Sequence, residues 1–511
     1  MHAIIFLAAM FFVPLDDRPV TRQLPEMLGQ IAGVRIIEPP RKLLGRYLTP
    51  GKPDAIISWL NNASQENLMA SFVISSDMLA YGGLVASRIP STSYNTAQTR
   101  LREFTQLRHA HPGASIDAFG TIMRLAPTGV PAIGDAASFF AAFPVWQYLQ
   151  EYANLHDPPF PAEAARADEL RTLIGKPTLD GYIEARTRNY GIDLDLVRQT
   201  ASGTLNALVL GQDDAGVIGL HVKEVQALEK ASGPDVSIEP GADELGMVLV
   251  ARELARRICW VPRVAVRYYG TGLQDLREFT SIPETIDHLI TISGAIHDDE
   301  HPDITLYVRL PQNSGSSDDR LVTAMQDDET HNSSIALADL TFLQATYDAQ
   351  AAFARRILQD GVASKLDGYA AWNTNANTVG TVLAETIAAN AGRRSGTYNA
   401  LAHREFTFIR LLDDYAFHDE VRPQLNAALD AQGITDHTYL LPAIARRSEE
   451  QNNFLLAQQA PTILAELYPG LHIAAMRTTL PWNRTFETEI EVGLAPNLPR
   501  GGVPNVAGEE K

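Results

Sequence analysis

Two adjacent carboxylates follow a buried apolar run near the middle of the chain. The run Leu205–Leu210 is typical of a strand, and Gln212, Asp213 and Asp214 follow it after a single glycine. Adjacent carboxyl groups cannot both ionise cheaply, so one can keep its proton while the other stays charged. That division suits general acid–base catalysis, and the same oxygens suit a divalent cation. We therefore predict catalytic roles for Asp213 and Asp214 and a substrate-binding role for Gln212. The alternative is that Asp214 caps the next helix.

A second group stands at the end of the first apolar run. The segment Pro14–Pro19 (PLDDRP) places Asp16, Asp17 and Arg18 at the tip of a strand. We predict that Asp17 is catalytic and that Asp16 and Arg18 bind substrate. The alternative is local, with Asp17 capping the following helix and Arg18 pairing with Asp16.

Two further strand ends carry charge. Asp77 follows an apolar run within SSDMLAYGGLVASR (Ser75–Arg88), where adjacent glycines let the backbone approach a ligand. Arg88 closes this segment and could grip a carboxylate or phosphate with two parallel hydrogen bonds. Arg124 follows another predicted strand, and it either binds a substrate or pairs with a carboxylate such as Asp16 or Asp77. We predict a catalytic role for Asp77 and substrate-binding roles for Arg88 and Arg124.

A neutral polar segment near the end of the strand–helix pattern suits sugar binding. In GYAAWNTNANTVGT (Gly368–Thr381), Trp372 offers a flat apolar face, and Asn373 and Asn377 offer amides to hydroxyl groups. The alternatives are an anion held at the helix N-terminus and an elaborate helix cap. The segment IEPGADELG also carries Asp243 and Glu244. Carboxylates in a first helical turn complement the helix dipole, and we favour that role for them.

Composition and the missing motifs narrow the class of protein. The chain has 511 residues, 45% of them hydrophobic, and a formal charge of −19, which argues against nucleic-acid and anionic-lipid surfaces. We expect a small-molecule substrate, with a sugar as the candidate, no transmembrane segment, no cofactor and no metal, although the loop His297–Asp303 carries residue types that can bind a metal. The lone cysteine, Cys259, is interpreted as a core residue. The pattern does not predict the oligomeric state.

The N-terminus has two interpretations. Residues 3–13 are apolar and run straight into PLDDRP, as a buried first strand would. We favour that interpretation and a cytoplasmic location. If residues 1–9 are instead a cleaved signal, the protein is periplasmic or secreted.

Short apolar runs alternate with helical periods, which predicts an α/β fold with mainly parallel sheets. The predicted strands are Ile4–Val13, Val34–Ile37, Phe72–Ser75, Ile116–Ile122, Leu205–Leu210, Val264–Tyr268, Ile304–Leu310, Ile335–Ala338 and Gly368–Ala371. The predicted helices are Ala97–His109, Ala136–Leu155, Val217–Ala231, Ala242–Ile258, Ile282–Ile292, Phe342–Leu358 and Thr378–Ala391. We favour two open α/β units, with a TIM-like barrel as the alternative. The predicted domains are 1–240 with a helical insertion at 156–202, then 241–392, then a helical C-terminal region and tail at 393–511.

Taken together, these strings resemble a bacterial family of unknown function, DUF4127. The matching pieces are PLDDRP, SSDMLAYGGLVASR, IMR, GQDDAG, PGADE, ADL and WNTNANTVGT, over about residues 10 to 390, and PWNRTF extends them. The resemblance implies no activity. From the residues we expect a hydrolase that acts on a carbohydrate or sugar derivative through strand-end aspartates. The alternatives are a metal-dependent enzyme acting on an anionic small molecule and a non-catalytic binding protein.

Overall fold

The computed structural model describes residues 9–65, 67, 70–125, 160–213, 215, 219–274, 280–312, 314–328, 333–342 and 347–497. Asp214 and the predicted helix Ala136–Leu155 therefore lie outside the described residues. So does the first part of the apolar N-terminus.

The first sheet has six strands, all parallel to their neighbours, in the order β2-β1-β3-β4-β5-β6. Its strands are β1 (Met10–Val13), β2 (Ile36–Ile37), β3 (Ser71–Ser75), β4 (Ile116–Ile122), β5 (Ala207–Gln212) and β6 (Val236–Pro240). The chain leaves β1 in one direction to form β2 and then returns to form β3 on its other side. Ligands of open parallel sheets bind beside such a switch point, at the carboxyl ends of the strands.

The helices of this unit connect its strands and cover the sheet. They are α1 (Gln23–Ala32), α2 (Pro53–Ser64), α3 (Ser76–Tyr81), α4 (Leu84–Ser87), α5 (Tyr94–Leu101), α6 (Glu103–Ala110), α7 (Pro161–Ile174), α8 (Lys176–Ala201), α9 (His221–Ala231) and α10 (Leu245–Arg257). The described part of the predicted insertion is helical, as α7 and α8. The predicted helix Ala97–His109 is instead two short helices, α5 and α6.

The second sheet repeats the path of the first five strands. Its order is β11-β10-β9-β7-β8, again parallel throughout. Its strands are β7 (Arg263–Tyr269), β8 (Ile296–His297), β9 (Ile304–Arg309), β10 (Ser334–Asp339) and β11 (Gly368–Ala370). Its helices are α11 (Ile282–Ile292), α12 (Gly315–Asp328), α13 (Tyr347–Gln359) and α14 (Asn375–Ser395). Strand β7 starts in the middle, β8 pairs on one side, and the later strands add on the other.

Helices α10 and α14 pack against each other and join the two units. Gly380 makes this close packing possible, because a Cβ there would lie 2.6 Å from the Glu244 side chain at the start of α10. Gly246 lets α10 approach the first sheet in the same way, since a Cβ there would lie 3.0 Å from the Phe12 ring. One continuous hydrophobic core therefore runs from the first sheet through both helices to the second sheet.

The C-terminal region is helical and then ends in a β-hairpin. Its elements are α15 (Ala400–Leu411), a π-helix (Leu412–Val421), α16 (Arg422–Asp430), α17 (Pro442–Leu467), and the antiparallel pair β12 (Leu471–Thr479) and β13 (Glu489–Pro496). The helical prediction for this region is confirmed. The hairpin was not predicted, because several side chains of β12 are exposed and its sequence shows no clear alternation.

The α/β class, the two parallel sheets and the helical C-terminal region are confirmed. The eleven described parallel strands form two separate sheets rather than one barrel. The domain boundaries stay predictions. Strands β6 and β8 were not predicted. The interpretation of Cys259 as a core residue is wrong, since it is exposed in the turn after α10 with φ of 53°. Among the described residues, no helix is both long and apolar enough to cross a bilayer.

Candidate functional site

Arg18 joins the carboxyl ends of β1 and β6. Its guanidinium donates to the Asp16 carboxylate (Nη2 to Oδ2, 2.8 Å) and to Asp243 (2.9 and 2.6 Å). It also lies over the Trp482 ring, 4.8 Å from the ring centre. The predicted local pairing of Arg18 with Asp16 is therefore present, and a second partner from the distant β6–α10 turn accompanies it.

Asp17 faces the C-terminal region instead. Trp482 donates its indole N–H to Asp17 Oδ1 at 2.8 Å, and Arg41 Nε reaches Oδ2 at 3.5 Å. Arg41 in turn pairs with Glu489 of β13 at 2.6 Å. Burial raises the pKa of Asp17 above its usual value, and the bond from Trp482 opposes that shift. These contacts link the β1 loop to the C-terminal hairpin.

Asp77 is buried at the carboxyl end of β3. Its Oδ2 accepts hydrogen bonds from the Thr121 backbone N–H at 2.8 Å and hydroxyl at 2.9 Å. Burial raises the pKa of Asp77 to about 7, and the nearby charge of Asp213 adds to this shift. A protonated carboxyl group at neutral pH is the state that a general acid requires.

Asp213 pairs with Arg88 at the end of β5. The amide nitrogen of the adjacent Gln212 is buried and has no hydrogen-bond partner among the described residues. Arg124 lies half-buried just past β4, where its backbone carbonyl accepts from Arg186 at 3.3 Å. Asp213 and Asp77 thus occupy the middle of the carboxyl edge. We call these two residues, together with Arg88 and Gln212, the strand-end cluster.

The end of β11 meets the first unit directly. Asn373 has φ of 53°, and its Nδ2 donates to Asn377 Oδ1 at 2.7 Å. Asn377 Nδ2 then donates to Glu244 Oε2 at 2.6 Å. This pair of amides connects the carboxyl edges of the two sheets. Glu244, which the sequence analysis assigned to the helix dipole, is fully buried in this contact.

A cavity lies where the two carboxyl edges and the C-terminal region meet. It holds about 440 Å³ of empty space, its open mouth included, and its enclosed part is narrow. Three predicted residues line it, namely Arg18, Trp372 and Asn373. The other lining residues are Pro19, Val20, Arg410, Asp413, His418, Phe486, Glu487 and Thr488. We call this space the cleft pocket.

The C-terminal π-helix carries an adjacent acidic pair, Asp413 and Asp414, of which Asp413 lines this pocket. Arg410 donates to Asp413 Oδ2 at 3.1 Å and also pairs with Asp414. Asp414 Oδ2 accepts the backbone N–H of Ala371, at the end of β11, at 2.6 Å. Burial raises the pKa of Asp413 to about 6 and that of Asp414 to about 7. π-Helical segments are rare and often occur at functional sites.

The loop between β12 and β13 supplies the opposite wall. Glu487 accepts two hydrogen bonds from the Arg484 guanidinium through one carboxylate oxygen, at 3.0 and 2.8 Å. Arg484 lies over the rings of Trp482 and Phe486, at 4.5 and 5.0 Å. The charge of Glu487 also contributes to the raised pKa of Asp413, so these two carboxyl groups lie within electrostatic range.

Sequence reasoning missed the carboxyl groups of the cleft pocket. Asp413 and Asp414 repeat the adjacent pattern of Asp213 and Asp214, but they lie in a segment predicted as helix, where such pairs are usually solvated. The string PWNRTF at 481–486 precedes Glu487 and belongs to the family resemblance, which implies no role for it.

No metal centre is formed by the described residues, since no group of three histidine, cysteine or acidic side chains could hold an ion there. In the loop His297–Asp303, His297 contacts the half-exposed carboxylates of Asp287 (3.0 Å) and Asp299 (3.6 Å). Because these side chains are about half exposed, the contacts are typical of a surface loop.

The structure therefore divides the predicted site residues. Arg18, Trp372 and Asn373 line the cleft pocket. Asp16 accepts hydrogen bonds from Arg18, and Asn377 accepts one from Asn373. Asp77, Asp213, Arg88 and Gln212 form the strand-end cluster, and Asp17 contacts the C-terminal hairpin. Asp213 lies close enough to influence the pKa of both Asp77 and Asp243, so the strand-end cluster and the Arg18 ion pair share one carboxyl edge.

No curated protein matches this chain. A family model does match it, over residues 10–491, and the description of that family is a protein of unknown function, DUF4127. The match spans both sheets and most of the C-terminal hairpin. The chain belongs to the DUF4127 family.

Proposed function

We propose that this protein is a hydrolase that acts on a carbohydrate or sugar derivative in the cleft pocket. One observation carries the proposal. A single cavity between two parallel-sheet edges is lined by two carboxyl side chains, Asp413 and Glu487, and by two aromatic residues, Trp372 and Phe486. Paired carboxyl groups perform glycoside hydrolysis, and aromatic faces suit sugar rings.

The two carboxyl groups have the unequal surroundings that the reaction needs. Asp413, with its pKa of about 6, is suited to donate a proton to the leaving group. Glu487 is held by the guanidinium of Arg484 and is suited to act as the charged partner. Their separation decides whether the second carboxylate attacks the sugar or activates water.

The remaining lining residues supply polar contacts. Asn373 presents its amide just after β11, and Thr488 lies just before β13. Arg18 is fixed by Asp16 and Asp243, so its position is set before any ligand arrives. Because the enclosed part of the pocket is narrow, we expect the loop that carries Phe486 to move when a sugar enters.

Turnover of aryl glycosides tests the proposal. A panel of 4-nitrophenyl glycosides identifies an active substrate, and Asp413→Asn and Glu487→Gln should each lower kcat by about 100-fold or more. The matched control is Asp117→Asn, a buried carboxyl with a pKa of about 6 that lies near the amino end of β4, away from the pocket. That variant should keep its activity.

The alternatives give different outcomes in the same assay. Sugar binding by calorimetry without turnover would overturn the hydrolase in favour of a binding protein. Turnover that depends on added Mg²⁺ or Mn²⁺ and is lost with a chelator would favour a metal-dependent enzyme. Full activity in both pocket variants would remove Asp413 and Glu487 from the mechanism.

A further inference from the structure

His418 is the histidine of the cleft pocket, and its surroundings fix the ring. It is buried on the π-helix, with the rings of Phe342, Phe417 and Phe486 edge-on at centroid distances of 5.0, 5.1 and 6.4 Å. Three aromatic contacts around one imidazole restrict its rotation and exclude water from it. A side chain held this way presents a defined atom to the pocket.

One hydrogen bond determines which ring nitrogen carries the proton. Arg422 Nη1 lies 3.4 Å from His418 Nδ1, and a guanidinium can only donate, so Nδ1 is the acceptor. Burial lowers the pKa of His418 well below its usual value, and the charges of Arg422 and Arg410 lower it further. The imidazole is therefore neutral, with its proton on Nε2.

Nε2 faces an oxygen that it does not reach. Asp413 Oδ1 lies 3.8 Å from His418 Nε2, which is too long for a hydrogen bond. This Oδ1 is buried and has no hydrogen-bond partner among the described residues. A third oxygen beside the line joining the two atoms could sit at about 2.8 Å from each of them. Leaving a buried polar group unsatisfied costs about 1–3 kcal/mol, and a ligand oxygen that accepts a hydrogen bond from the protonated Oδ1 would recover it.

We propose that His418 is a catalytic residue that binds, together with Asp413, the leaving-group oxygen of the substrate. This inference rests on the proposed function and specifies its substrate as an O-glycoside. Asp413 Oδ1 gives its proton to the glycosidic oxygen as the carbon–oxygen bond breaks and the bonding electrons move to that oxygen. The Nε2–H of His418 stays in place and stabilises the developing charge. Water then supplies a hydroxyl to the sugar carbon, and its remaining proton returns to a carboxylate of the pocket.

The ring's protonation can be tested without turnover. Nitrogen-15 NMR of the full chain with labelled histidine, assigned through His418→Gln, should show a neutral ring with the proton on Nε2 from pH 5 to pH 8. A proton on Nδ1, or a charged imidazolium at pH 6, would overturn the inference even if the enzyme hydrolyses glycosides. If the proton is on Nε2 but the protein hydrolyses no glycoside, the geometry of His418 is confirmed and the proposed hydrolase function is wrong.

Leaving-group dependence tests the role itself. On aryl glycosides of the active sugar, His418→Phe should lower kcat about tenfold more for 4-methoxyphenyl than for 2,4-dinitrophenyl leaving groups, since only the poor leaving group needs stabilisation. His418→Gln, which keeps an N–H donor near Nε2, should recover part of the loss. His111→Phe is the control, because His111 is a buried histidine that packs on Phe72, far from the pocket. An equal loss for all leaving groups would reduce His418 to a structural role.

Discussion

The guanidinium of Arg18 donates two hydrogen bonds to the carboxylate of Asp243, at 2.9 and 2.6 Å, across 225 positions of the chain. The contact closes the carboxyl edge of the first sheet from β1 to β6. Arg18 is nearly fully buried, and Asp243 is 13% exposed. Because the pair is largely buried, removing Asp243 would leave the charge of Arg18 without full compensation.

We expect Asp243→Asn to lower the free energy of unfolding by about 2–3 kcal/mol, because Arg18 then loses one of the two carboxylates to which its guanidinium donates. Chemical denaturation measures this change. The contrasting variant is Asp180→Asn, which breaks the exposed pair with Lys176 and should cost less than about 1 kcal/mol. Equal small losses in both variants would show that the Arg18–Asp243 pair contributes little.

The strand-end cluster offers a competing location for the chemistry. Asp77 and Asp213 were predicted as catalytic, and that assignment stays a prediction. Because Thr121 holds Asp77 and Arg88 holds Asp213, we expect Asp77→Asn and Asp213→Asn to lower kcat less than about tenfold. Asp213→Asn should also raise KM, since it removes a charged partner of Arg88 at the carboxyl edge of the first sheet. Steady-state kinetics of these variants, measured together with Asp413→Asn, shows which carboxyl groups are catalytic. A loss as large as that of Asp413→Asn would return the catalytic role to the strand ends.

The pH dependence of activity should report the Asp413 carboxyl. Its raised pKa means that it keeps its proton below about pH 6 and loses it as the pH rises. A general acid works only when protonated, so kcat/KM should fall as the pH rises through about 6. Asp414 shares Arg410 with Asp413, so the profile reports the pair. In Asp413→Asn, the residual activity should lose this limb. An unchanged limb would assign the titration to another group.

Asn373 should be replaceable by glycine with less strain than by alanine. Its φ of 53° is in the left-handed region, which costs most side chains about 1–2 kcal/mol and glycine nothing. We therefore expect Asn373→Gly to be about 1 kcal/mol more stable than Asn373→Ala. Both variants lose the 2.7 Å bond to Asn377 and should raise KM for the active glycoside. Thermal unfolding and kinetics measure the two effects. A more stable alanine variant would contradict the expected strain.

The sheets were largely predictable because both faces of their central strands are buried. All seven residues of β4 are buried, and the predicted bounds Ile116–Ile122 match the structure. Edge strands gave weaker signals. The first three residues of β6 are only half-buried, and β8 has two exposed residues, so neither forms an apolar run. Strand prediction from one sequence depends on burial, which edge strands lack.

The site was predictable in part for a similar reason. Parallel strands bring their carboxyl ends to one edge, so Asp16, Asp77 and Asp213 could be placed there from the strand pattern alone. The pairing of Arg18 with Asp243 could not, because it depends on how distant turns fold over the edge. Asp413 also could not be found, since an acidic residue in a helix is usually solvated and only the packing of the C-terminal region buries it.

Asp419 should make the protein less stable as the pH rises. Both carboxylate oxygens are buried without a hydrogen-bond partner among the described residues. Burial raises the pKa of Asp419 to about 8, and the charges of Asp339 and Asp414 add to the shift. In the unfolded chain the pKa of an aspartate side chain is about 3.9. The protonated form therefore favours the folded state, and its stabilising contribution is complete below about pH 4 and lost as the pH rises through about 8.

Asp419→Asn keeps a neutral side chain at every pH and should remove this loss. We expect the variant to be more stable than the wild type at pH 8, by an amount on the order of a few kcal/mol, and equal to it near pH 4. Denaturation at both pH values measures the difference. Asp54→Asn provides a control of opposite sign, because Arg100 lowers the pKa of Asp54. That variant should be less stable than the wild type at pH 8, where Asp419→Asn should be more stable than the wild type. If Asp419→Asn matches the wild type at pH 8, Asp419 is not held protonated in the folded π-helix.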